Sequence, residues 1–490
     1  MRRWTMVTSG VVAALVVATL AWAVTRGDDG RAPATTRTTE PPSAPTSSAA
    51  PVAGTPGAPG VGDPYFPGLG NGGYDVEHYT LELTWQPDGA HIDGVTTIEA
   101  TATQDLSRFN LDLAGLTVSS VTVDAAPGHA VQVDRELEVT PATSIPAGAE
   151  FTAVVAYAGS PRPVPDGTDL FEVGWQTDGR EAFVVSEPAG AATFFPVNDH
   201  PSDKASYTLR VTAPADQVVA ANGLLVGPPA EGDGTRTWTY EAPDPMASYL
   251  VQIAIGDYEL VDGGRAGEVV VRHALHRSSA DVARDTVSRT AEMIDVLDDV
   301  FGPYPFGSYG VVAVDEDLGF ALETQTLTII GSDMATWGRE ADAILLHELA
   351  HQWVGNAVGP ATWKDIWLNE GFATYSEWLW SERTGGPTAA DLARRAARAG
   401  RDLDLPPGDP GNEELFSTTV YWRGGMALQA LREQIGDEAF FTVLRRWVDD
   451  HIDAVASTED LVALAEAISG QPLDDLFQRW LYEPGLPSLG

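Results

Sequence analysis

His347 and His351 stand four residues apart in the stretch L-H-E-L-A-H-Q-W-V that runs from Leu346 to Val354, and Glu370 follows nineteen residues beyond His351. Residues four apart on a helix share a face, so both imidazoles can reach one ion, with Glu348 beside them to hold its water. Two nitrogen donors leave a zinc site incomplete, because it needs a third protein ligand and an open fourth position. Glu370, in Asn369-Glu-Gly371, supplies the third ligand if Gly355 and Pro360 turn the chain back and two helices run antiparallel around the ion. The expected chemistry is hydrolysis assisted by one zinc per chain. Glu348 is the expected general base, since its neighbours already fill the ligand positions. There is no cysteine, which excludes thiolate ligands, thiol catalysis and disulfides. His273 and His276 are also close in sequence, but no acidic partner follows at ligand spacing, and they read as ordinary strand or loop histidines.

The elements that must carry these residues show a change of period along the chain. From Tyr74 short alternating segments dominate: His78 to Trp85, Val95 to Ala102, Leu116 to Val123, Phe151 to Tyr157 and Tyr207 to Val211, separated by turn clusters such as Pro87-Asp-Gly and Ala221-Asn-Gly. In the second half the spacing predicts helices over Asp281 to Phe301, Arg339 to Val354, Trp367 to Thr384, Thr388 to Arg401, Arg423 to Ile435, Glu438 to His451, Thr458 to Ile468 and Leu473 to Leu481. Strands are expected between them at Tyr309 to Val314 and Thr324 to Ile330. The chain of 490 residues is thus read as an N-terminal all-β domain, 65–260, followed by a mainly helical α+β catalytic domain, 261–490.

Ahead of both lies an apolar run from Val7 to Val24, preceded by Arg2 and Arg3 and closed by Arg26. Residues 1–26 are therefore expected to act as a signal peptide, with Ala21-Trp-Ala23 as a cleavage site, or as a membrane anchor whose N-terminal end is cytoplasmic. Either way the body is placed outside the cell, secreted or at the surface. Residues 27–64, rich in Pro, Ala, Thr and Gly, are expected to be a disordered tether. The formal net charge is −41, which makes nucleic acid an unsuitable partner, because phosphate contacts need a basic face.

The motif resembles the zinc signature of the gluzincin zinc aminopeptidases of the aminopeptidase N type, in which H-E-L-A-H-Q-W is followed by the glutamate of L-N-E-G-F-A. Trp353 and Gly371-Phe-Ala373 match as well. The resemblance extends to Tyr74-Asp-Val-Glu-His-Tyr-Thr-Leu81, to Phe195, Pro196, Asp199, Pro201 and Lys204 as an F-P-x-x-D-x-P-x-x-K segment, and to Trp480 through Pro487. It implies a saddle-like β-sheet domain before a thermolysin-like catalytic domain, and removal of N-terminal residues from peptides.

H-E-x-x-H by itself does not distinguish such an enzyme from an endopeptidase, nor from a binding protein built on a retired catalytic fold. The distinction depends on carboxylates that hold a free α-ammonium. The resemblance assigns that role to Glu323, in Gly319-Phe-Ala-Leu-Glu-Thr324 where the family has G-x-M-E-N, and to Glu187, in Val185-Ser-Glu-Pro-Ala189 where it has Q-x-E. Tyr421, in Thr419-Val-Tyr-Trp-Arg-Gly-Gly425, is similar to the family's tyrosine that stabilises the oxyanion. Departures lie around these charges: Phe320, Leu322 and Thr324 replace the glycine, methionine and asparagine of G-x-M-E-N, Val185 replaces the glutamine, and Ala192 stands at an arginine position. Longer members continue beyond the counterpart of Pro487, so a more open site is expected.

Overall fold

In a computed structural model the described residues are 54–167, 171–400 and 403–489, all within one compact unit spanning 51–490. The expected export segment, Val7 to Val24, lies outside them. Among the described residues no helix is long and apolar enough to cross a membrane.

The β half contains strands β1 (Tyr74–Gln86), β2 (His91–Ala102), β3 (Thr117–Val123), β4 (Glu150–Gly159), β5 (Glu172–Thr177), β6 (Ala182–Val185), β7 (Lys204–Pro214), β8 (Val218–Ala221), β9 (Thr235–Ala247) and β10 (Ile253–Gly256). A large sheet runs β9-β7-β1-β2-β4-β3, with short strands added at its ends. Alternation along β2, and along β1 on either side of an irregularity between Val76 and His78, buries every second side chain, as a sheet with one covered face requires. Only the β7–β1 pair is parallel, and it aligns Tyr207 with Tyr79, whose rings stack at 5.1 Å. A second sheet, β5-β6-β10-β8, lies between the large sheet and the helical half. All four residues of β6, Ala-Phe-Val-Val, are buried, a run that fits a strand covered on both faces.

The catalytic half opens with β11 (Tyr258–Ala266) and β12 (Val269–His276), then helices α1 (Ala280–Thr286) and α2 (Thr290–Phe301), strands β13 (Val311–Ala313), β14 (Ala321–Leu322) and β15 (Thr328–Ile330), and helices α3 (Asp342–Ala350), α4 (Trp367–Arg383), α5 (Gly424–Ile435), α6 (Asp437–His451) and α7 (Thr458–Ser469). Its sheet is ordered β11-β12-β13-β15-β14, and β14 runs antiparallel to β15. A hydrophobic cluster joins the halves: Phe183 and Val185 of β6 pack with Val312, Leu322 and Ile329 of the catalytic sheet. Residues of β6 and β14 therefore meet in one cluster, although the strands belong to different sheets.

The change from the β half's sheets to the catalytic sheet falls at Asp257, between β10 and β11. Three expectations need correction. The helix expected over Asp281 to Phe301 is two helices, because the Ser288 hydroxyl donates to the Asp285 carbonyl and the Thr290 hydroxyl to that of Val287, local bonds that compete with helical ones. The strand expected from Thr324 begins only at Thr328, since Thr326 takes a left-handed backbone with φ 63°. The tether expected over 27–64 is folded in its last part: Thr55 and Pro56 pair alongside Leu106 and Arg108, and Asp63 is buried. One Asp63 oxygen accepts the amides of Tyr65 and Phe66, while the other accepts the Trp363 amide at 2.9 Å and faces the His200 ring nitrogen at 3.2 Å. The Tyr65 hydroxyl then donates to Asp409.

Candidate metal and amine site

α3 and α4 hold the first three candidates. His347 and Glu348 lie on α3, His351 caps it, and Glu370 lies in the first turn of α4. Glu370 Oε2 is 3.1 Å from His347 Nε2 and 3.5 Å from His351 Nε2, and all three side chains are buried. The turn between the helices uses Gly355, with φ +124°, where a Cβ would sit 3.2 Å from both the Asn369 amide and His351 Nδ1. Each imidazole is oriented by its other nitrogen: His347 Nδ1 faces Glu377 Oε1 at 2.8 Å, and His351 Nδ1 faces the Val354 carbonyl at 3.1 Å. Such outer bonds fix the ring plane and aim the free nitrogen at an ion.

The electrostatics agree with a place for positive charge. Burial works against charging all three groups. Even so, His351 and His347 hold the Glu370 carboxyl down at about 2, and the carboxylates Glu370 and Glu377 raise His347 well above the ordinary imidazole value. Two nitrogens and one carboxylate oxygen, converging and buried in a chain without thiols, fit zinc. Glu348 stands beside them, with an oxygen grouped with His351 and Glu323 within 4.8 Å. Burial pushes its carboxyl up to about 8, against the pull of the two histidines.

Glu187 and Glu323 come from opposite sides of the seam. Glu187 follows β6 in the β half and Glu323 follows β14 in the catalytic half. Val185 and Leu322, packed in the same cluster, set the approach of the two chain ends. Oxygens of Glu187, Glu323 and Glu370 lie within 4.8 Å of one another, and both glutamates are buried, at 7% and 2% exposure. One oxygen of each, Oε1, has no hydrogen-bond partner. Burial, and then the Glu323 charge, raises Glu187 well above the usual carboxylate range. A pair of buried carboxyls with open oxygens is costly unless it receives a cation or donors.

Tyr421 completes the group. It lies in a π-helical turn, Thr419–Arg423, ahead of α5, and its ring stacks on His347 at 5.8 Å. Two glycines explain how this turn comes so near: a Cβ on Gly371 would sit 2.9 Å from the Gly424 backbone, and one on Gly424 would sit 3.0 Å from the Gly371 Cα. Only a glycine pair lets α4 and α5 cross this closely. Arg423, fully buried, anchors the turn by donating to backbone carbonyls of Leu403, Leu405, Trp480 and Glu483.

The structure thus brings His347, Glu348, His351, Glu370, Tyr421, Glu187 and Glu323 together. His273 and His276 lie apart from this group, on β12. Several positioning residues escaped the sequence reading. Glu377 lies seven residues after Glu370, two helical turns along the same face, a spacing that was legible. Gln352 and Asn356 were not: their side-chain amides donate to the Glu323 carbonyl at 3.0 and 2.8 Å, and the Thr326 amide donates to Gln352. Lys204, at the end of the F-P-x-x-D-x-P-x-x-K segment, donates to the carbonyls of Asn356 and Ala357. That segment braces the halves.

Residues 75–250 match the peptidase M1 N-terminal domain and residues 286–480 match the peptidase family M1 domain. The chain belongs to peptidase family M1. An M1 zinc metallopeptidase from Deinococcus radiodurans has 36% sequence identity, superposes with a TM-score of 0.81, and is covered over 98% of its length by 88% of this chain. A structure of the Deinococcus radiodurans M1 zinc metallopeptidase bound to a Tyr-Ser-Ala substrate matches equally well. The rice protein Aminopeptidase M1-A (Oryza sativa subsp. japonica) is 26% identical over 445 residues, and Aminopeptidase M1 of Arabidopsis thaliana is 27% identical over 323. The matches cover 84% and 61% of this M1 chain but only 50% and 36% of those relatives, so the chain spans half their length or less.

Proposed function

We propose that this M1 family protein is an exported zinc aminopeptidase that removes N-terminal residues from peptides. The observation that carries the reading is the pair of buried, open carboxylate oxygens on Glu187 and Glu323 beside the His347, His351 and Glu370 donors. The likeness to zinc metallopeptidases, one of them solved with a tripeptide substrate, supports it.

His347, His351 and Glu370 would hold the ion. Zinc, when bound, supplies a water of lowered pKa and polarises the carbonyl to be cleaved. Glu187 and Glu323 bind the substrate's α-ammonium and so fix the first peptide bond, and no later one, over Glu348. Glu348 takes a proton from the attacking water and delivers it to the leaving amine. The Tyr421 hydroxyl donates to the carbonyl oxygen as negative charge gathers there.

Export rests on the charged and apolar pattern of residues 2–26. Mass analysis of the protein's N-terminus in the medium and in membranes separates a cleaved signal from an anchor, and a wholly cytoplasmic protein would overturn export. For the activity, a free peptide and its N-acetylated twin are compared with and without chelator. The reading expects only the free peptide to be cut, and only without chelator. Equal cleavage of both peptides would make the enzyme an endopeptidase, and activity insensitive to chelator would remove the metal.

A further inference from the structure

Thr326 is buried and takes φ 63°, a left-handed backbone that a β-branched side chain rarely adopts. It is the third residue of the turn Thr324–Leu327, closed by the Leu327 amide on the Thr324 carbonyl at 3.0 Å and again by the Thr324 hydroxyl on the Leu327 carbonyl. A turn whose third residue is left-handed normally carries glycine or asparagine there. We infer that Thr326 is a positioning residue for the amine grip: clamped between Gly223 of the β half and Gln352 beside the metal donor His351, it holds Glu323 at its distance from the metal donors. This rests on the proposed aminopeptidase reading, because the place of Glu323 selects a peptide bond only if Glu323 binds an α-ammonium.

The loop is tied from two directions. From the β half, the Gly223 amide donates to the Thr326 hydroxyl oxygen at 2.8 Å, and the Asn222 side-chain amide donates to the carbonyls of Gln325 at 2.6 Å and Leu250 at 3.0 Å. Asn222 and Gly223 follow β8 directly, and a Cβ on Gly223 would lie 1.9 Å from the Glu241 carbonyl oxygen, so this turn is pressed against β9. From the catalytic half, Gln352 Oε1 accepts the Thr326 amide at 2.8 Å while its Nε2 donates to the Glu323 carbonyl at 3.0 Å. One side chain thus spans the loop from Glu323 to Thr326, and it belongs to the residue that follows His351.

Glycine at 326 would adopt this backbone without strain, yet it would leave the Gly223 amide without its acceptor. Threonine holds an unfavourable conformation and supplies the oxygen that the buried amide needs. Gln352 and Asn356 touch the Glu323 peptide itself, whereas Thr326 is bonded to both halves at once, through its amide on one side and its hydroxyl on the other.

The test compares Thr326→Val, Thr326→Gly and Thr326→Ser in the full-length, zinc-loaded enzyme, on a free peptide and its N-acetylated twin. The first keeps the shape and removes the acceptor, the second removes acceptor and strain together, and the third restores the oxygen. With zinc still at one per chain by metal analysis, Thr326→Val and Thr326→Gly should raise KM about 10-fold with kcat within about 2-fold, and Thr326→Ser should stay within about 2-fold of the parent in both. A merely structural role would lower the amount of active enzyme and leave KM alone. An unmoved KM in folded Thr326→Val or Thr326→Gly, a loss confined to kcat, loss of zinc, or a Thr326→Ser as impaired as Thr326→Val overturns the inference. Failure of both Thr326→Val and Thr326→Gly to fold also overturns it, since Thr326 would then serve folding only. In each of these cases a parent enzyme that cuts only the free peptide keeps the aminopeptidase reading in place. Equal cleavage of both peptides by the parent overturns that reading and this inference with it.

Discussion

The metal donors and the amine carboxylates adjoin one another but are built in different ways. His347, His351 and Glu370 sit on two consecutive helices joined by one glycine-bearing turn, and each imidazole has its second nitrogen occupied. Glu187 and Glu323 sit on strand ends from two halves of the molecule and keep open oxygens. The metal site is thus complete within some thirty residues of chain, whereas the amine site exists only when both halves pack. Hydrolytic capacity is a local property of this fold, and the choice of bond is a tertiary one.

Substitutions can break the comparison from either side. Glu348→Gln should lower kcat by roughly 10⁴-fold on every substrate while zinc content by metal analysis stays at one per chain. Loss of zinc from that variant would show Glu348 to be a ligand. Glu323→Gln and Glu187→Gln should each cost on the order of 10³-fold in kcat/KM, because the ammonium would be buried against a neutral amide. In steady-state assays that loss should appear chiefly in KM, and a loss confined to kcat would place these residues in the chemistry instead. Tyr421→Phe should lower kcat about 10²-fold with KM little changed.

A smaller effect sharpens the metal side. Glu377→Gln should weaken zinc binding by roughly 10-fold or more in competition with a chelator, since the His347 ring loses a charged partner. Unchanged affinity would show that packing alone orients the ring. The smallest expected effect lies away from the site. Burial raises the Glu136 carboxyl to about 7, and its Oε2 has no partner. Between pH 4.5 and 7 the folded state holds the extra proton, so stability falls as pH rises through that window. Glu136→Gln should therefore gain about 1 kcal/mol at pH 8, allowing for partial solvent contact, and nothing at pH 4. Urea midpoints at the two pH values measure it.

The same division explains what the sequence made legible. The helix period around His347 and the spacing to Glu370 are local patterns, and the structure realises both. Glu187 and Glu323 could be named only through likeness to a family, because nothing in either segment says that β6 and β14 share a cluster. Gln352 and Asn356 were invisible for a related reason: their work is to hold the backbone of a loop some thirty residues away in the chain. Gly371 and Gly424 stand in segments quoted for other residues, and only the helix crossing shows that each is needed by the other. The strand expected from Thr324 starts late because Thr326 takes a left-handed backbone, and the helix expected over Asp281 to Phe301 breaks where the Ser288 and Thr290 hydroxyls compete with helical bonds.

Asp63 gives the folded body a beginning that composition hides. It lies within the stretch rich in Pro, Ala and Gly, yet it accepts the Trp363 amide, four residues before the helix that carries Glu370 starts. A protease or an engineer who trims the chain where its composition changes would remove the buttress under that helix. Zinc would then be disturbed by a cut made some three hundred residues upstream of its ligands.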